Sequence, residues 1–567
     1  MMIFNAAAIS PGLAMGKLLL LEGGPAVPEA RAVTDTSAEW ERAAGAIERA
    51  KTELSALYDQ ALESIGAEAA EIFEIHGMML DDDDFTDSVR EIIETERLNA
   101  EYAAYGACER FAGMLEATGS DVMLGRAADM RDLSRRLVGI LRGDNSEDAL
   151  TGAVGPVVVA AEELYPSQTV QMDKSLVLAF VCRRGSKTSH AAILARSLGI
   201  PAVSGLGEDF DLLNDGDEVI VDGGDGEVIV WPDAGMLEEY ERKRRLIEEE
   251  SDILEQLRGL PAQTKDGLRV ELCANIGHPG EAGAALDHDA EGVGLFRSEF
   301  LYLDGDDFPG EDEQFNAYKE ALEAFAPRRV VIRTLDFGAD KRAPYFSLPE
   351  EENPALGYRA IRICLDRPDV FEPQMRALLR ASAYGKLAVM FPMITGVGEV
   401  RCILEFIGEI KRRLDEEGIP YADDMELGIM IETPAAVAMA PELAELVDFF
   451  SVGTNDLTQY TMAADRMNPK VEHLFDPGDP AVLRMIMQAA SAAREAGIWI
   501  GICGESAADE RLLSCYIAMG IDELSMSPHS ILRIKRAVRE LDAGECRAAL
   551  GEMLNKGAVR LLKGETK

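Results

Sequence analysis

The stretch Glu426-Leu-Gly-Ile-Met-Ile-Glu-Thr-Pro434 decides the fold of the chain's larger half. It is an apolar run of strand length that ends in polar residues and is followed by a helical pattern. Seven other runs repeat the design: VELCANIG (270–277), GVGLFRSEF (292–300), RVVIRTLDFG (329–338), LAVMFPMI (387–394), FFSVGTND (449–456), WIGICGES (499–506) and ELSMSP (523–528). Eight such strand–helix units in about 300 residues predict a (βα)8 barrel of the TIM type. In that fold chemistry gathers where the strands end. Here those ends carry Arg297, Arg333, Glu432, Asn455, Asp456 and Cys503.

These side chains suit one another. Two arginines on one rim clamp a phosphate or carboxylate, because the guanidinium fork matches paired oxygens, and Arg466 adds a third. Lys341 supplies a further positive charge. Glu432 and Asp456 offer hard oxygen ligands of the kind that suit Mg²⁺. Arginines, a divalent ion and a thiol together suggest an anionic substrate that passes through an enolate, with Cys503 moving the proton at carbon. Two plainer readings stand beside this one: Cys503 as a small buried strand-end residue, and Glu432 as a rim salt bridge.

Upstream, Gly185-Ser-Lys-Thr-Ser-His-Ala-Ala-Ile-Leu-Ala-Arg196 follows a short apolar strand and runs into a helical pattern that stops at Gly199-Ile-Pro201. His190 then falls at the start of a helix, where free N–H groups and the dipole favour a phosphoryl group and disfavour imidazolium. A neutral ring keeps a lone pair for attack. The competing reading is a surface histidine beside an ordinary Thr188 or Ser189 N-cap.

The expected organisation is multidomain α/β. Residues 1–24 and 144–230 form an α/β domain, read from runs such as GPVVVAAEEL, SLVLAFVC, DEVIVDGG and GEVIVWP. Residues 25–143 form an inserted bundle of about four helices, opened by a Thr36…Glu39 capping box. Residues 231–260 form a charged linking helix, and 261–567 the barrel. Asp81-Asp-Asp-Asp84 reads as a solvated turn between helices.

The 567 residues carry 56 Lys and Arg against 102 Asp and Glu, a net charge of −46. That argues against nucleic acid or an anionic membrane as partner. A local arginine cluster still accommodates a small anion, because salt screens distant charge. The eight cysteines form no CxxC pair, so neither a zinc site nor a disulfide framework is expected. No segment has the apolar length to cross a bilayer and the start lacks a basic leader, which predicts a cytoplasmic protein without membrane insertion.

The barrel stretches GLFRSEFLY, IRTLDFGADK, EENPALGYRAIR, FPMI, MIETPAAV, SVGTNDLTQYTMAADR and GICGE, together with ISPGLAMGK near the start, resemble in order and spacing Enzyme I of the bacterial sugar phosphotransferase system, the phosphoenolpyruvate-protein phosphotransferase family. TSHAAILARSLGIPAV resembles its phosphohistidine motif. The resemblance implies an N-terminal swivelling phosphohistidine domain with a helical insert that docks the phosphocarrier HPr. It makes His190 the phosphorylated residue, oriented by Thr169, with Asp129 nearby and His76 on the HPr-facing surface. Arg297, Arg333, Lys341, Asn455, Asp456 and Arg466 would bind phosphoenolpyruvate, Glu432 and Asp456 would hold Mg²⁺, Cys503 would protonate the enolate, and the barrel would form a homodimer. Lys187, Tyr165, Ala339 and Met467 depart from the family's usual residues, leaving the reacting groups in place. The rivals are a regulatory phosphorelay paralogue, a Mg²⁺-dependent carbon–carbon lyase acting on a 2-oxo acid, and a scaffold with lost chemistry.

Overall fold

The computed structural model describes residues 1–556 apart from 22–26, 65–66, 118–120, 144–154, 163, 166–171, 173–175, 186–191, 193–194, 196–198, 304–306, 339–344, 347, 349–350, 467 and 469. The chain divides into two units, Met1–Glu249 and Glu250–Lys567.

In the first unit eight strands form one sheet: β1 (Met2–Asn5), β2 (Ala7–Ser10), β3 (Leu13–Leu20), β4 (Val157–Ala161), β5 (Val177–Cys182), β6 (Ala202–Ser204), β7 (Glu218–Asp222) and β8 (Glu227–Val230), in the order β1-β8-β7-β3-β4-β5-β6-β2. The central strands β3, β4, β5 and β6 are parallel, and the rest pair antiparallel. Every residue of β4 is buried, as expected for a parallel strand covered on both faces. The sequence reading missed β1, β2 and β6, which are only four, four and three residues long.

Between β3 and β4 lie five helices among the described residues, one more than expected: α1 (Thr36–Ser64), α2 (Ala67–Asp81), α3 (Asp83–Glu94), α4 (Ala100–Glu116) and α5 (Asp121–Arg142). The extra helix arises where the helical pattern over residues 85–117 breaks at Thr95–Asn99 into α3 and α4. Asp81 ends α2, and Asp82 caps α3 by accepting the Asp84 N–H at 2.8 Å, so the aspartate run is indeed an interhelical turn. The Thr36…Glu39 capping box is not formed. Asp35 caps α1 instead, accepting from Ala38 N–H at 3.0 Å. Glu39 turns away to accept the Ala100 N–H at 2.7 Å and to pair with Arg42.

Helix α6 (Ala234–Glu255) buries none of its residues, in keeping with its highly charged sequence. In the second unit β9 (Glu271–Ile276), β10 (Val293–Arg297), β11 (Arg329–Arg333), β12 (Lys386–Phe391), β13 (Glu426–Ile431), β14 (Phe449–Val452), β15 (Trp499–Ile502) and β16 (Glu523–Met526) close into a barrel with all neighbours parallel. Each of the eight predicted runs supplies one strand. The barrel interior is filled by Leu295, Val331, Ala388, Met390, Met430, Phe449 and Cys503, so it is a packed core rather than a pore.

Candidate active site at the barrel mouth

Parallel strands deliver their last residues to one rim. Arg297 ends β10, Arg333 ends β11, Glu432 follows β13, and Cys503 follows β15. Asn455 and Asp456 lie in the first turn of the helix Thr454–Met462, directly after β14. Close packing between neighbouring loops needs glycine twice. A Cβ on Gly453 would stand 2.9 Å from Glu432 Oε2, and one on Gly504 only 2.0 Å from Thr454 Oγ1.

Arg333 is 7% exposed. Its guanidinium pairs with Glu299 and, at 3.0 Å, with Asp336 Oδ2. Burial disfavours its charge, yet Glu299, Asp336 and Glu432 outweigh that and raise its pKa. A second buried guanidinium, Arg359, donates to Asp336 Oδ1 at 2.9 Å, reaches Asp456 Oδ2 at 3.5 Å, and meets the Tyr460 hydroxyl at 3.3 Å. Glu432 sits between these charges, 1% exposed, with Oε1 accepting the Met393 N–H at 2.5 Å. Burial first, then Asp456 and Asp336, push its carboxyl up to about 8, against the pull of Arg359 and Arg333. Such a shift marks two carboxylates that a cation would relieve. Hard oxygens on Glu432 and on Asp456, whose charge acts on Glu432, therefore suit a divalent ion such as Mg²⁺.

Cys503 is buried, its Sγ 3.6 Å from the Val452 carbonyl oxygen. Burial pushes its thiol up to about 11, although Ser451 and Arg333 pull it down. At neutral pH it is therefore held as S–H, the form a proton donor needs. Asn455 Nδ2 donates to Glu505 Oε1 at 3.3 Å. Glu505 and Arg297 line an open cavity of about 520 Å³, whose wall also includes Asn275, Glu281, His288 and His529. Arg466 lies beyond this helix, its backbone N–H donating to Gln459 Oε1 at 3.3 Å. Of the residues singled out in the sequence, Arg333, Glu432, Asp456 and Cys503 thus form one electrostatic cluster. Lys341, Thr169 and His190 lie outside the described residues, as do Lys187, Ala339 and Met467.

Three members of the cluster were not picked out as chemistry in the sequence. Arg359 sits inside EENPALGYRAIR, away from any strand end, where rim logic does not look, and Asp336 stands three residues past β11. Glu299 stands two residues past β10.

In the helical bundle, His76 is 1% exposed and its Nε2 stands 3.4 Å from Asp129 Oδ1, with Arg126 3.5 Å from the other Asp129 oxygen. This corrects the expectation of a surface histidine. The α2 face that carries Ile72, Phe73, His76 and Leu80 is the buried one, while Glu74 and Met78 are exposed.

The second unit matches the family model "PEP-utilising enzyme, PEP-binding domain" over residues 251–543. The first matches "PEP-utilising enzyme, N-terminal" over 5–126 and "PEP-utilising enzyme, mobile domain" over 154–226. These define the class as a phosphoenolpyruvate-utilising enzyme. Among curated proteins, the phosphoenolpyruvate-protein phosphotransferase of Bacillus sp. (strain S) is 45% identical over 556 residues, covering 98% of this chain and 96% of its own. That of Geobacillus stearothermophilus is 45% identical with the same coverage. A solution structure of Enzyme I is 36% identical and aligns with 43% of this chain and 99% of its own, at a TM-score of 0.36. The chain belongs to the phosphoenolpyruvate-protein phosphotransferase family. Among the described residues no helix is long and apolar enough to cross a membrane.

Proposed function

We propose that this chain transfers the phosphoryl group of phosphoenolpyruvate to its own His190 and then to a histidine of the phosphocarrier HPr, releasing pyruvate, as the first step of sugar uptake by the phosphotransferase system. The observation that carries the reading is the barrel mouth. Two buried guanidiniums, two electrostatically linked carboxylates and a protonated thiol meet where a phosphorylated enol would need an anion clamp, a cation site and an acid.

Arg297, Arg333, Arg359, Arg466, Asn455 and Lys341 bind the phosphate and carboxylate oxygens. Glu432 and Asp456 hold Mg²⁺, which when bound supplies Lewis-acid stabilisation of the developing charge. His190, oriented by Thr169, attacks phosphorus with its neutral ring while the arginines neutralise the leaving enolate. Cys503 then donates its proton to the enolate carbon, and Arg333 stabilises the thiolate that remains. Residues 1–24 and 144–230 would carry the phosphoryl group between the barrel and HPr, the linking helix would let that domain swivel, and Asp129 would lie close to it. HPr docks on the helical bundle, where Met78, Met114 and Met123 on α2, α4 and α5 are exposed. Flexible thioethers suit a re-packing protein contact. The protein works in the cytoplasm as a homodimer through its barrel.

Intact mass after mixing with phosphoenolpyruvate and Mg²⁺ tests the reading. One acid-labile phosphoryl adduct, absent from His190→Ala, is the expected result. No adduct on the native chain would sink it.

A further inference from the structure

The barrel mouth depends on two loops keeping register: Cys503-Gly504, which carries the acid, and Thr454-Asn455-Asp456, which carries substrate and metal contacts. Between them runs a chain of hydroxyls that the chemistry above does not use. Tyr516 Oη donates to Ser506 Oγ at 2.7 Å, and Ser506 Oγ donates to Thr454 Oγ1 at 2.8 Å. All three side chains are buried, Tyr516 and Thr454 completely so. Tyr516 stands on the helix Glu510–Met519, which is anchored by its buried residues Leu512, Leu513 and Ile517. Ser506 belongs to the short turn Glu505–Ala508 that follows Gly504. Thr454 is the first residue of the helix bearing Asn455 and Asp456.

A buried hydroxyl is costly to leave unpaired and has few alternative partners in an apolar surround, so each bond fixes a position as well as an energy. Thr454 Oγ1 is where this matters, since the Gly504 backbone lies against the same oxygen. The Cys503 backbone is tied to Val452 at 3.1 Å on the strand side. The hydroxyl chain ties the far side of the Cys503 loop. With both sides held, the thiol has one approach to the enolate carbon.

We propose that Ser506 and Tyr516 are positioning residues for proton delivery: through Thr454 they hold the Cys503 loop in register with the Asn455–Asp456 turn, so that the thiol meets one face of the enolate. This rests on the reading of Cys503 as the acid. A misplacement of about 1 Å costs up to about 100-fold in rate, so loosening one side of the loop predicts a loss of about 10-fold in kcat for pyruvate release. Most of the substrate's oxygens fall to arginines outside this hydroxyl chain, so KM for phosphoenolpyruvate stays within about twofold.

The test uses the full chain with HPr as acceptor and (Z)-[3-²H]phosphoenolpyruvate in tritiated water. The thiol proton exchanges with solvent, so its delivery to one face of C3 yields pyruvate with a methyl group of one handedness. Wild type should give that product. Ser506→Ala should lose both the handedness and about 10-fold in kcat, Tyr516→Phe should lose part of each, and Ser506→Thr, which keeps the hydroxyl, should restore both. A merely structural role would lower the amount of folded enzyme and leave the handedness of the product intact, and that result would overturn the proposal. Cys503→Ala separates the two readings. If it loses handedness while Ser506→Ala and Tyr516→Phe keep it and their kcat, the positioning role is wrong and Cys503 remains the acid. If Cys503→Ala also keeps handedness and rate, the acid assignment falls, and the positioning role falls with it.

Discussion

Strand β11 carries an arginine at each end, and the two make opposite bargains. Arg329 opens the strand at the closed end of the barrel. It pairs with Glu271 at 2.6 Å and Glu523 at 3.1 Å, with Glu426 at 3.8 Å, and its guanidinium lies 4.0 Å from the Trp499 ring centroid. Trp499 in turn stacks on Phe449 at 4.3 Å. Every one of these is the first residue of its strand. Four residues later Arg333 closes the strand at the mouth, among Glu299, Asp336 and Glu432. The lower cluster places one cation on an aromatic face with carboxylates around it, which is a plug. Glu271, Cys273 and Glu523 even approach within 4.8 Å in ligand atoms, but Arg329 already bonds both carboxylates. The upper cluster has two cations and still holds Glu432 up to about 8. A carboxyl that two guanidiniums still leave above its ordinary range is one that a further cation would stabilise in its charged form.

The sharpest way to break this contrast is Glu432→Gln. Removing the dissatisfied carboxylate should lower phosphoenolpyruvate-dependent pyruvate release by about 10³-fold, the scale of losing a key charge-stabilising group. The midpoint of urea unfolding should stay level or rise. Steady-state assays and a denaturation curve on the same preparation check both halves.

Arg329→Met is the mirror experiment. It leaves buried Glu523 and its neighbours without their cation, which costs about 3 kcal/mol of stability. Turnover per folded molecule should stay near wild type, because nothing at the mouth is touched. A loss of kcat matching that of Glu432→Gln would erase the distinction between the two ends.

This contrast also explains what could be read from the sequence. Eight strands were legible because each is an apolar run bounded by polar or glycine residues, and rim residues followed from the rule that parallel strands end on one face. Arg333, Glu432, Asp456 and Cys503 were found that way. Arg359 was not, since it reaches the mouth from the loop before the helix Ile361–Asp366, through a backbone turn that no periodicity encodes. His76 misled for a different reason. The resemblance placed it on the partner-facing surface, whereas the spacing of Glu68, Glu71 and Glu74 puts them on one side of its helix and leaves the histidine on the apolar side, where it pairs with Asp129 in the interior. The capping box failed because two acceptors, Asp35 and Thr36, compete for one helix start, and only tertiary demand on Glu39 decides between them.

Acidity sharpens the comparison further. A carboxyl raised from 4.5 to about 8 binds more protons in the folded state than in the unfolded one between those values. Its contribution to stability is therefore full below about pH 4.5 and is lost as pH rises towards 8. Glu523, raised by burial and held by Arg329, shifts in the same direction. Only the mouth should respond to Mg²⁺. Adding the ion should flatten the fall attributable to Glu432, seen as the difference between wild type and Glu432→Gln in urea midpoints from pH 5 to 9. The difference between wild type and Glu523→Gln should stay as it was.

The smallest effect expected is at Ala360, next to Arg359. Its backbone stands at φ 53°, ψ −127°, and its N–H donates to the Phe337 carbonyl at 2.9 Å. A residue with a Cβ is strained there, by roughly 1–3 kcal/mol. Ala360→Gly removes one methyl from a fully buried position and relieves that strain, so it should raise the unfolding free energy by about 1 kcal/mol or less. The same freedom lets Arg359 depart from Asp336 and Asp456, so KM for phosphoenolpyruvate should rise about two- to fivefold while kcat holds. A gain in stability with no change in KM would mean that the turn serves the core alone. A rise in KM with the stability gained would show that strain at the mouth is what keeps the second guanidinium aimed at the substrate.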